Sequence, residues 1–461
     1  MEPVSFRIHD TYQRKKVDFQ PHNSNHVKFY VCGPTVYDYA HIGNARPIVV
    51  FDVLYRLLRR LYPKVTYVRN ITDIDDKINA RAAESGESIG DITKRTAAQF
   101  HEDIAALGAM EPDVEPCATD HVAEMIVMIE DLIAKGHAYA ADGHVLFSVP
   151  SWDAYGRLSR HSRDELVAGA RVDVAPYKQD AADFVLWKQS SDDLPGWDSP
   201  WGRGRPGWHI ECSAMATKYL GDKFDIHGGG QDLIFPHHEN EIAQCLSDTP
   251  SEGFSKYWMH NGYLMSEGEK MSKSLGNFYT INELLQEYPG EAVRLLLLKT
   301  HYRQPLDFTK SGLDEAKREL DRFYGALRGG VAAIGGEGIN DAVKSALTDD
   351  MNTPLALTAL YGKLRDLNNT QDADGRATVA QSLVDAGVVL GLLQDDPEAW
   401  FTWRPTGASG LEDSDIEAMI QQRSNARSAK DFATSDRIRD ELTDAGIVLE
   451  DKTDGTIWRR G

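Results

Sequence analysis

A strand, a helix and a second strand follow one another near the start of the sequence, and this order restricts the folds open to the chain. Residues 26–32 alternate in polarity and are rich in β-formers, residues 43–61 carry apolar side chains at helical spacing, and residues 65–68 form another β-rich run. This order favours a parallel sheet with its ligand site at the carboxyl ends of the strands. The same alternation returns between residues 208 and 265. We therefore predict an α/β fold with a Rossmann-like parallel sheet.

Residues 112–207 separate the two stretches of alternating strands and helices. They contain helical patterns, a hairpin signal at Ala141-Asp142-Gly143, and then a segment rich in Asp, Arg, Gly, Pro and Trp. We interpret this region as an insertion that divides the sheet-forming domain into two halves, residues 1–111 and 208–280.

The carboxyl-terminal part of the sequence has a different pattern. Residues 281–395 carry Leu and Ala at three- and four-residue spacing throughout, which predicts an all-α helical bundle. Residues 395–410, which include Pro, Trp and Gly, are interpreted as a linker. Beyond the linker, residues 411–461 predict a small α+β domain with two helices and a final pair of strands.

Composition and charge exclude several classes of protein. Of the 461 residues, 41% are hydrophobic and 26% are charged, as in ordinary globular domains. The sequence has neither a membrane-spanning run of about 18 apolar residues nor a secretory signal, and its four cysteines are too few for a disulfide framework. A cytoplasmic location is therefore expected. Because the net charge is −21, a nucleic acid would have to bind local basic patches.

Two cysteines, a histidine and a glutamate form a candidate metal site. Cys32 follows the first strand, Cys212 lies in the second half of the domain, and His237 and Glu241 are four residues apart on one face of a predicted helix. A helix and two strand ends can bring such side chains together as a tetrahedral zinc site. The spacing alone also fits buried apolar thiols and surface histidines. His238 is expected to project from another face of the helix, as a packing residue or a neighbour of the ligands.

Two further elements suit a nucleotide. His41, Gly43 and Asn44 follow the first strand and open a helix, where free N–H groups and the helix dipole attract phosphate. A later loop supplies two cations, Lys270 and Lys273, that can stabilise charge on a departing pyrophosphate. Taken separately, these elements are also typical of an ordinary helix start and a solvated lysine loop.

Together, the His-Ile-Gly-Asn and Lys-Met-Ser-Lys-Ser elements resemble the two signatures of class I aminoacyl-tRNA synthetases. Further strings, including a His-His-Glu-Asn-Glu run, are similar to those of the cysteinyl-tRNA synthetase family: Tyr30–Asp38, Asn70–Lys77, Pro206–Ser213 and His227–Gly230. The resemblance extends over essentially the whole chain. The common class I signature ends in a second histidine, and here Asn44 takes that position. Its amide still donates a hydrogen bond but carries no charge.

The resemblance implies an enzyme that activates L-cysteine with ATP and then esterifies the 3′ end of tRNA(Cys). It implies one Zn²⁺ bound by Cys32, Cys212, His237 and Glu241, and Mg²⁺ accompanying ATP. Zinc favours soft sulfur, so it would select cysteine over serine, a near-isostere that a steric pocket separates by only about 1–3 kcal/mol. A cytoplasmic monomer without membrane association is implied as well.

The resemblance also implies roles for the remaining site residues. Those expected in catalysis are His41, Asn44, Lys270 and Lys273, which also contact ATP together with Gly43, Gly230 and Asp232. Those expected to bind cysteine are Gly33, Thr35, Thr72 and Trp208. Asp232 would otherwise be an ordinary helix N-cap, and His209 and His227 either line the pocket or simply pack.

Contacts with tRNA are expected from the insertion, the helical bundle and the terminal domain. The candidates in the insertion are Arg157, Arg160, Arg163, Lys178 and Lys188. In the terminal domain, Trp458 would stack on a base while Arg459 and Arg460 contact phosphate. The alternative for Trp458 is a place in the core of that domain.

Two other functions remain open at this point. A related ligase that joins cysteine to an amino sugar would share the zinc and nucleotide elements but would lack the terminal region of residues 411–461. A non-catalytic nucleic-acid-binding protein with a structural zinc would show no cysteine-dependent exchange of pyrophosphate with ATP. Both nucleotide elements would then have no purpose.

Overall fold

In a computed structural model of the chain, the described residues fall into six segments: 5–161, 176–246, 253–328, 339–407, 410–452 and 455–460. Arg163, one of the expected tRNA contacts, lies outside them. No helix within these segments combines the length and the apolar character needed to cross a membrane.

The amino-terminal region contains the predicted strand–helix–strand unit. In chain order its elements are β1 (Arg7–Asp10), β2 (Lys15–Asp18), β3 (Val27–Val31), α1 (Ile42–Leu61), β4 (Val65–Arg69), α2 (Asp76–Ser85) and α3 (Ile89–Ala106). Strands β3 and β4 pair in parallel, with Val27 opposite Val65. Helix α1 connects them and buries apolar side chains such as Val53 and Leu57 completely. The predicted strand, helix and strand are therefore confirmed.

Residues 112–207 form a separate antiparallel sheet. Their main described elements are α4 (Val122–Ala134), β5 (Ala138–Ala141), β6 (His144–Phe147), β7 (Phe184–Gln189) and β8 (Gly204–Pro206). The strand order is β5-β6-β7-β8, and the expected hairpin at residues 141–143 joins β5 to β6. Phe147 and Trp187 of this sheet share a core with Tyr30 and Val68 of the parallel sheet. The two sheets are therefore packed into one body.

The second stretch of alternating elements completes the parallel sheet. These elements are α5 (Trp208–Leu220), β9 (Phe224–Gly230), α6 (Glu239–Gln244), β10 (Ser255–Asn261) and β11 (Leu264–Ser266). The sheet has the order β10-β9-β3-β4 with all strands parallel. The chain thus passes from β3 to β4 on one side and later adds β9 on the other. The gap between β3 and β9 is the switch point of the sheet, where open α/β folds bind ligands.

Residues 281–395 are mostly helical, as predicted, with one exception, and the predicted linker that follows contains a further helix. The elements are α7 (Ile281–Glu287), α8 (Gly290–Leu298), β12 (Leu306–Phe308), α9 (Lys310–Leu327), α10 (Asp341–Leu347), α11 (Thr353–Asn369), α12 (Ala373–Val388) and α13 (Pro397–Thr402). The prediction of helix throughout is wrong at β12, which pairs in parallel with β11. The linker prediction is wrong at α13, because buried Trp400 stacks on Tyr324 with the ring centroids 4.5 Å apart. Strand β12 thus connects β11 to the helical bundle, and α13 packs against α9 through Trp400 and Tyr324.

The terminal region has the two helices and the strand pair that the sequence predicts. These elements are α14 (Asp413–Ser428), α15 (Phe432–Asp444), β13 (Ile447–Lys452) and β14 (Gly455–Arg460). Trp458 is buried and packs in a cluster with Ile438 and Leu442. The expectation that Trp458 stacks on a base is therefore wrong, and it is a core residue. Arg460, an expected phosphate contact, forms an ion pair with Asp413.

Candidate active site

Two thiols, an imidazole and a carboxylate meet at the switch point. Cys32 directly follows β3, Cys212 lies in α5, His237 lies in a π-helical turn (Ile234–His238), and Glu241 lies in α6. The four ligand atoms lie within 4.8 Å of one another. The two sulfurs are 3.7 Å apart, and His237 Nε2 is 3.1 Å from Glu241 Oε1. The structure thus brings the predicted set together, with the correction that Cys212 comes from a helix rather than from a strand end.

The chemistry of this cluster fits a metal ion. Among the described residues, neither His237 Nε2 nor Glu241 Oε2 has a hydrogen-bond partner, although both atoms are buried. Burial lowers the pKa of His237 well below its ordinary value, so the imidazole is neutral and can bind a cation. Burial raises the pKa of the Cys32 thiol, a shift that coordination to a metal would reverse. Buried nitrogen and oxygen atoms without hydrogen-bond partners call for an explanation, and a bound metal ion would supply one.

Two more histidines touch the cluster. His238 Nε2 lies 3.3 Å from Cys32 Sγ, and His227 Nε2 lies 3.5 Å from the same atom. With Glu241, these residues form a second group of four whose ligand atoms lie within 4.8 Å of one another. His238 is a neighbour of the ligands, as expected, and it packs against His260 and Trp258, whereas His237 contacts His209 and Trp208. The first group remains the better site for a soft metal, since it supplies two sulfurs.

The imidazole of His237 is held by two neighbours. His209 Nδ1 lies 2.9 Å from His237 Nδ1, and burial lowers the pKa of His209 to about 4, so two neutral rings share this hydrogen bond. The Trp208 ring lies 4.3 Å from the His237 ring, centroid to centroid. Trp208 is 40% exposed, which places it between the cluster and solvent. A partner that orients a ligand in this way is typical of metal sites.

A chain of hydrogen bonds runs beside the cluster. The Gly33 N–H donates to Asn70 Oδ1 at 2.9 Å, and Asn70 Nδ2 donates to Thr72 Oγ1 at 3.1 Å. Thr72 Oγ1 in turn donates to Glu211 Oε2 at 3.1 Å. A Cβ on residue 33 would lie 1.6 Å from the Asn70 carbonyl oxygen, so only glycine fits there. Thr35 pairs with Thr72 as an isolated parallel bridge, so all three predicted pocket residues on this side lie together.

Asn70 and Glu211 are site residues that the sequence analysis missed. Both are buried, and burial raises the pKa of Glu211 well above its ordinary value. The available signal was their position, because Asn70 directly follows a predicted strand and Glu211 precedes Cys212. Neither position indicates by itself which side chain the residue would bind.

The start of α1 is closed by a capping box. His41 Nδ1 accepts a hydrogen bond from the Gly43 N–H at 3.1 Å, and Asn44 Oδ1 accepts one from the His41 N–H at 3.0 Å. The amide oxygen of Asn44 is thus used within the protein, and its NH₂ group is the part that can donate to a ligand. Burial, and to a smaller extent the charge of Lys273, lowers the pKa of His41 to about 4. The His41 ring is therefore neutral at neutral pH.

The lysine loop lies against the same helix start. Lys273 Nζ is 2.9 Å from Asp38 Oδ2 and 5.2 Å from the centroid of the Phe278 ring. The Phe278 ring also meets the His41 ring, with centroids 5.3 Å apart. Lys270 is exposed on the same loop. The structure therefore places the two predicted nucleotide elements side by side.

Gly230 and Asp232 lie at the carboxyl end of β9, beside the switch point. Asp232 is exposed in a short turn (Gln231–Leu233), and its side chain does not cap the helical turns that follow. The alternative of an ordinary N-cap is therefore wrong. A Cβ on residue 230 would lie 2.3 Å from Asp232 Oδ1, so glycine leaves room for the carboxylate.

Comparison with known proteins identifies the family. Residues 18–318 match the family model of the catalytic domain of class I (C) tRNA synthetases. Over 459 residues the chain is 62% identical to the cysteine–tRNA ligase of Rhodospirillum rubrum, covering 99% of this chain and 100% of that protein. The chain belongs to the cysteine–tRNA ligase family.

Other matches extend this cysteine–tRNA ligase assignment along the chain. Residues 342–394 match a DALR domain, and residues 411–459 match the cysteinyl-tRNA ligase anticodon binding domain. The Paramagnetospirillum magneticum cysteine–tRNA ligase is 60% identical over 461 residues, or 98% of this chain and 99% of that protein. The terminal match is the feature that the alternative amino-sugar ligase would lack.

Solved structures confirm the class I synthetase fold. The Agrobacterium radiobacter K84 LeuRS in a complex with tRNA and LeuAMS aligns with a TM-score of 0.57 at 13% identity, covering 96% of this chain and 91% of that one. The Mycobacterium tuberculosis methionyl-tRNA synthetase bound to methionyl-adenylate aligns with a TM-score of 0.52 at 16% identity, covering 79% and 89%. The predicted α/β class and its resemblance are therefore confirmed.

Two of the tRNA contacts expected in this cysteine–tRNA ligase family member already have partners within the chain. Lys188 Nζ lies 2.5 Å from Asp76 Oδ2, and an Arg160 guanidinium nitrogen donates to the Tyr12 carbonyl oxygen at 3.3 Å. The Lys188 side chain is still 41% exposed. Exposed ion pairs of this kind contribute little to stability.

Proposed function

We propose that this chain joins L-cysteine to the 3′ end of tRNA(Cys). In the first step a cysteine carboxylate oxygen bonds to the α-phosphorus of ATP, and the bond to the bridging oxygen of pyrophosphate breaks. In the second step the cysteinyl group passes from AMP to a ribose hydroxyl of the tRNA terminus. The observation that carries the proposal is the cluster of half-buried Cys32 with buried Cys212, His237 and Glu241, whose ligand atoms lie within 4.8 Å of one another.

We infer that this cluster holds one Zn²⁺. Two sulfurs that are each about 2.3 Å from a tetrahedral Zn²⁺ lie about 3.8 Å apart, and the Cys32–Cys212 distance of 3.7 Å supports this. When bound, Zn²⁺ prefers sulfur ligands and lowers the pKa of a thiol, which distinguishes cysteine from serine. His209 and Trp208 would keep the His237 ring in its ligating orientation.

The proposed cysteine pocket consists of Gly33, Thr35, Thr72 and Trp208. The Thr72 hydroxyl donates a hydrogen bond to Glu211 and accepts one from Asn70, so its remaining lone pair can only accept. This arrangement supports a contact with the ammonium group of cysteine rather than with its carboxylate. The carboxylate is then left free to meet the α-phosphate of ATP.

The proposed ATP site combines the capped start of α1 with the lysine loop. His41 and Asn44 would donate to the phosphates, Gly43 would let the phosphates approach closely because it has no side chain, and Gly230 and Asp232 would hold the ribose. Lys270 and Lys273 would stabilise the negative charge of the departing pyrophosphate, and Mg²⁺ would accompany the nucleotide. No general base is needed, because the cysteine carboxylate is already a nucleophile and the protein mainly has to position it.

We assign the tRNA contacts to the regions outside the sheet. In this proposal residues 1–111 and 208–280 form the catalytic domain, residues 112–207 are a connective insertion that contacts the tRNA, residues 281–395 are a bundle of the stem-contact and anticodon-binding type, and residues 411–461 bind the anticodon. The active species is proposed to be a cytoplasmic monomer, which sedimentation analysis of the purified chain would test.

Cysteine-dependent exchange of pyrophosphate into ATP, followed by charging of a tRNA(Cys) transcript, tests the function. The expected result is exchange with cysteine, little exchange with serine, and stable acylation of the transcript. Exchange that does not depend on cysteine, or a chain that charges no tRNA(Cys), would contradict the proposal.

A further inference from the structure

A buried arginine lies two residues after Asn44 in helix α1. Arg46 is fully buried, and its guanidinium donates to four backbone carbonyl oxygens. These acceptors are the carbonyl oxygens of Gly262 at 2.8 Å, Tyr263 at 2.6 Å, His301 at 3.4 Å and Gln304 at 2.5 Å. The side chain thus joins α1 to two other segments of the chain.

Burying Arg46 at this position costs desolvation free energy that no carboxylate offsets within the described segments. Within the described segments it forms no ion pair with a carboxylate, and its Nε atom has no hydrogen-bond partner. Burying a cation among neutral groups carries a large desolvation cost. Arg294, another fully buried arginine, is instead compensated by the Asp52 carboxylate. A contribution to stability therefore does not explain why an arginine is buried at this position.

The segments that Arg46 joins form the base of the lysine loop. Gly262 and Tyr263 precede β11, which leads directly into the loop, and the segment of residues 301–304 precedes β12, which pairs with β11. A Cβ on residue 262 would lie 2.7 Å from the Gln304 carbonyl oxygen, so the two backbones are in close contact there. Arg46 therefore fixes where the loop begins relative to α1.

The other end of the loop is fixed to the same helix start. Thr280 pairs with His41 as an isolated antiparallel bridge, and the Ile42 N–H donates to the Tyr279 carbonyl oxygen at 3.0 Å. The Ile281 N–H donates to the Ala40 carbonyl oxygen at 2.8 Å. Both ends of the loop are thus attached to the first two turns of the helix that carries His41 and Asn44.

We propose that Arg46 is a positioning residue that holds Lys270 and Lys273 in register with the phosphate-binding start of α1 during adenylate formation. This inference rests on the proposed function. Because Arg46 acts through the loop, its loss should lower the rate of adenylate formation without changing metal content or the KM for cysteine. A role in stability alone would show no dependence on Lys273.

A double-mutant cycle tests the inference, with R46K, K273A and the pair measured in pyrophosphate exchange. Misplacement of a catalytic group by about 1 Å costs about 100-fold, so R46K should lower kcat between about 10- and 100-fold. In the K273A background, R46K should have less than a third of that effect, expressed as the logarithm of the rate ratio. R294K is the matched control, and its effect should be the same with and without Lys273.

Three results would separate the possible failures. A wild-type chain without cysteine-dependent exchange would overturn the proposed function. An active wild type with independent effects of R46K and K273A, or with no effect of R46K, would overturn the role of Arg46. If R46K does not fold, hydrogen exchange of the wild type decides: amides of residues 262–266 should exchange slowly while those of 267–277 exchange fast and slow down with ATP. Equally fast exchange in both segments would overturn the inference.

Discussion

The cluster of two thiols, an imidazole and a carboxylate and the lysine loop are built in opposite ways, although both lie in the candidate active site. Cys212, His237 and Glu241 are at most 1% exposed, and their positions are set by strands and helices. The Lys273 side chain is 68% exposed and is held by an ion pair with Asp38 and a contact with the Phe278 ring. Such exposed pairs are worth about 0–1 kcal/mol. Under the proposed function, the cluster would be in place before cysteine binds, whereas the loop would have to close around the phosphates when ATP binds.

The largest expected effect is the loss of a cluster ligand. Losing an outer partner of a metal ligand costs about 10–100-fold, so C212S should lower kcat/KM for cysteine by more than about 100-fold in pyrophosphate exchange. ATP affinity should change little, because the nucleotide elements lie on a different set of residues. C117S is the matched control, since this half-buried thiol lies outside the cluster. Equal losses in cysteine and ATP binding would contradict the division between the two regions.

A smaller and different loss is expected in the loop. Removing one group that stabilises transition-state charge costs about 100-fold at the low end of the usual range, so K273A should lower kcat by about that factor. Metal content and the KM for cysteine should stay the same. K310A is the matched control, because Lys310, like Lys273, forms an ion pair and lies over an aromatic ring, here that of Tyr279. A K273A variant with weakened cysteine binding would show that the two regions are not separate.

Breaking the hydrogen-bond chain beside the cluster should have a smaller effect on the enzyme than losing Cys212 or Lys273. T72V removes the hydroxyl and leaves Asn70 and Glu211 with unpaired buried atoms. An unpaired buried polar atom costs about 1–3 kcal/mol of free energy. We expect the KM for cysteine to rise about tenfold, since about 1.4 kcal/mol corresponds to a factor of ten. T72S keeps the hydroxyl and should restore most of the affinity. If T72V and T72S are alike in KM, the hydroxyl does not contact the substrate.

The smallest expected effect concerns His41, whose ring should not change its protonation near neutral pH. Because the folded-state pKa of His41 is about 4, below its ordinary value of 6.5, the ring stays neutral between about pH 6 and pH 8. Its contribution to stability is complete above pH 6.5 and is lost as the pH falls through 4. NMR of the ring, assigned with His41→Asn, should show no titration near pH 6.5. A midpoint there would mean that burial does not lower the pKa of the His41 ring.

The sequence predicted the local elements well and the contacts between distant segments less well. The parallel unit of β3, α1 and β4 follows from residue periodicity, and the cluster ligands follow from the family resemblance. The approach of His227 to Cys32 depends on β9 lying beside β3, which periodicity does not encode. The same is true of β12, whose three residues become a strand only because β11 lies next to them.

Side-chain roles in the terminal domain show a second limit. Trp458 precedes two arginines, a composition typical of nucleic-acid contact, yet it packs with Ile438 and Leu442. In a domain of about 50 residues a large aromatic side chain is needed for the core. Composition alone does not distinguish these two uses, because burial is decided by which face of β14 meets the helices.

The most direct test of the account is to remove the metal and measure discrimination between cysteine and serine by pyrophosphate exchange. The account predicts that the purified chain contains one zinc, that a strong chelator abolishes exchange with cysteine, and that added Zn²⁺ restores it while serine stays inactive. A metal-free chain that still activates cysteine and rejects serine would contradict the claim that a metal ion bound by the cluster recognises the thiol of cysteine.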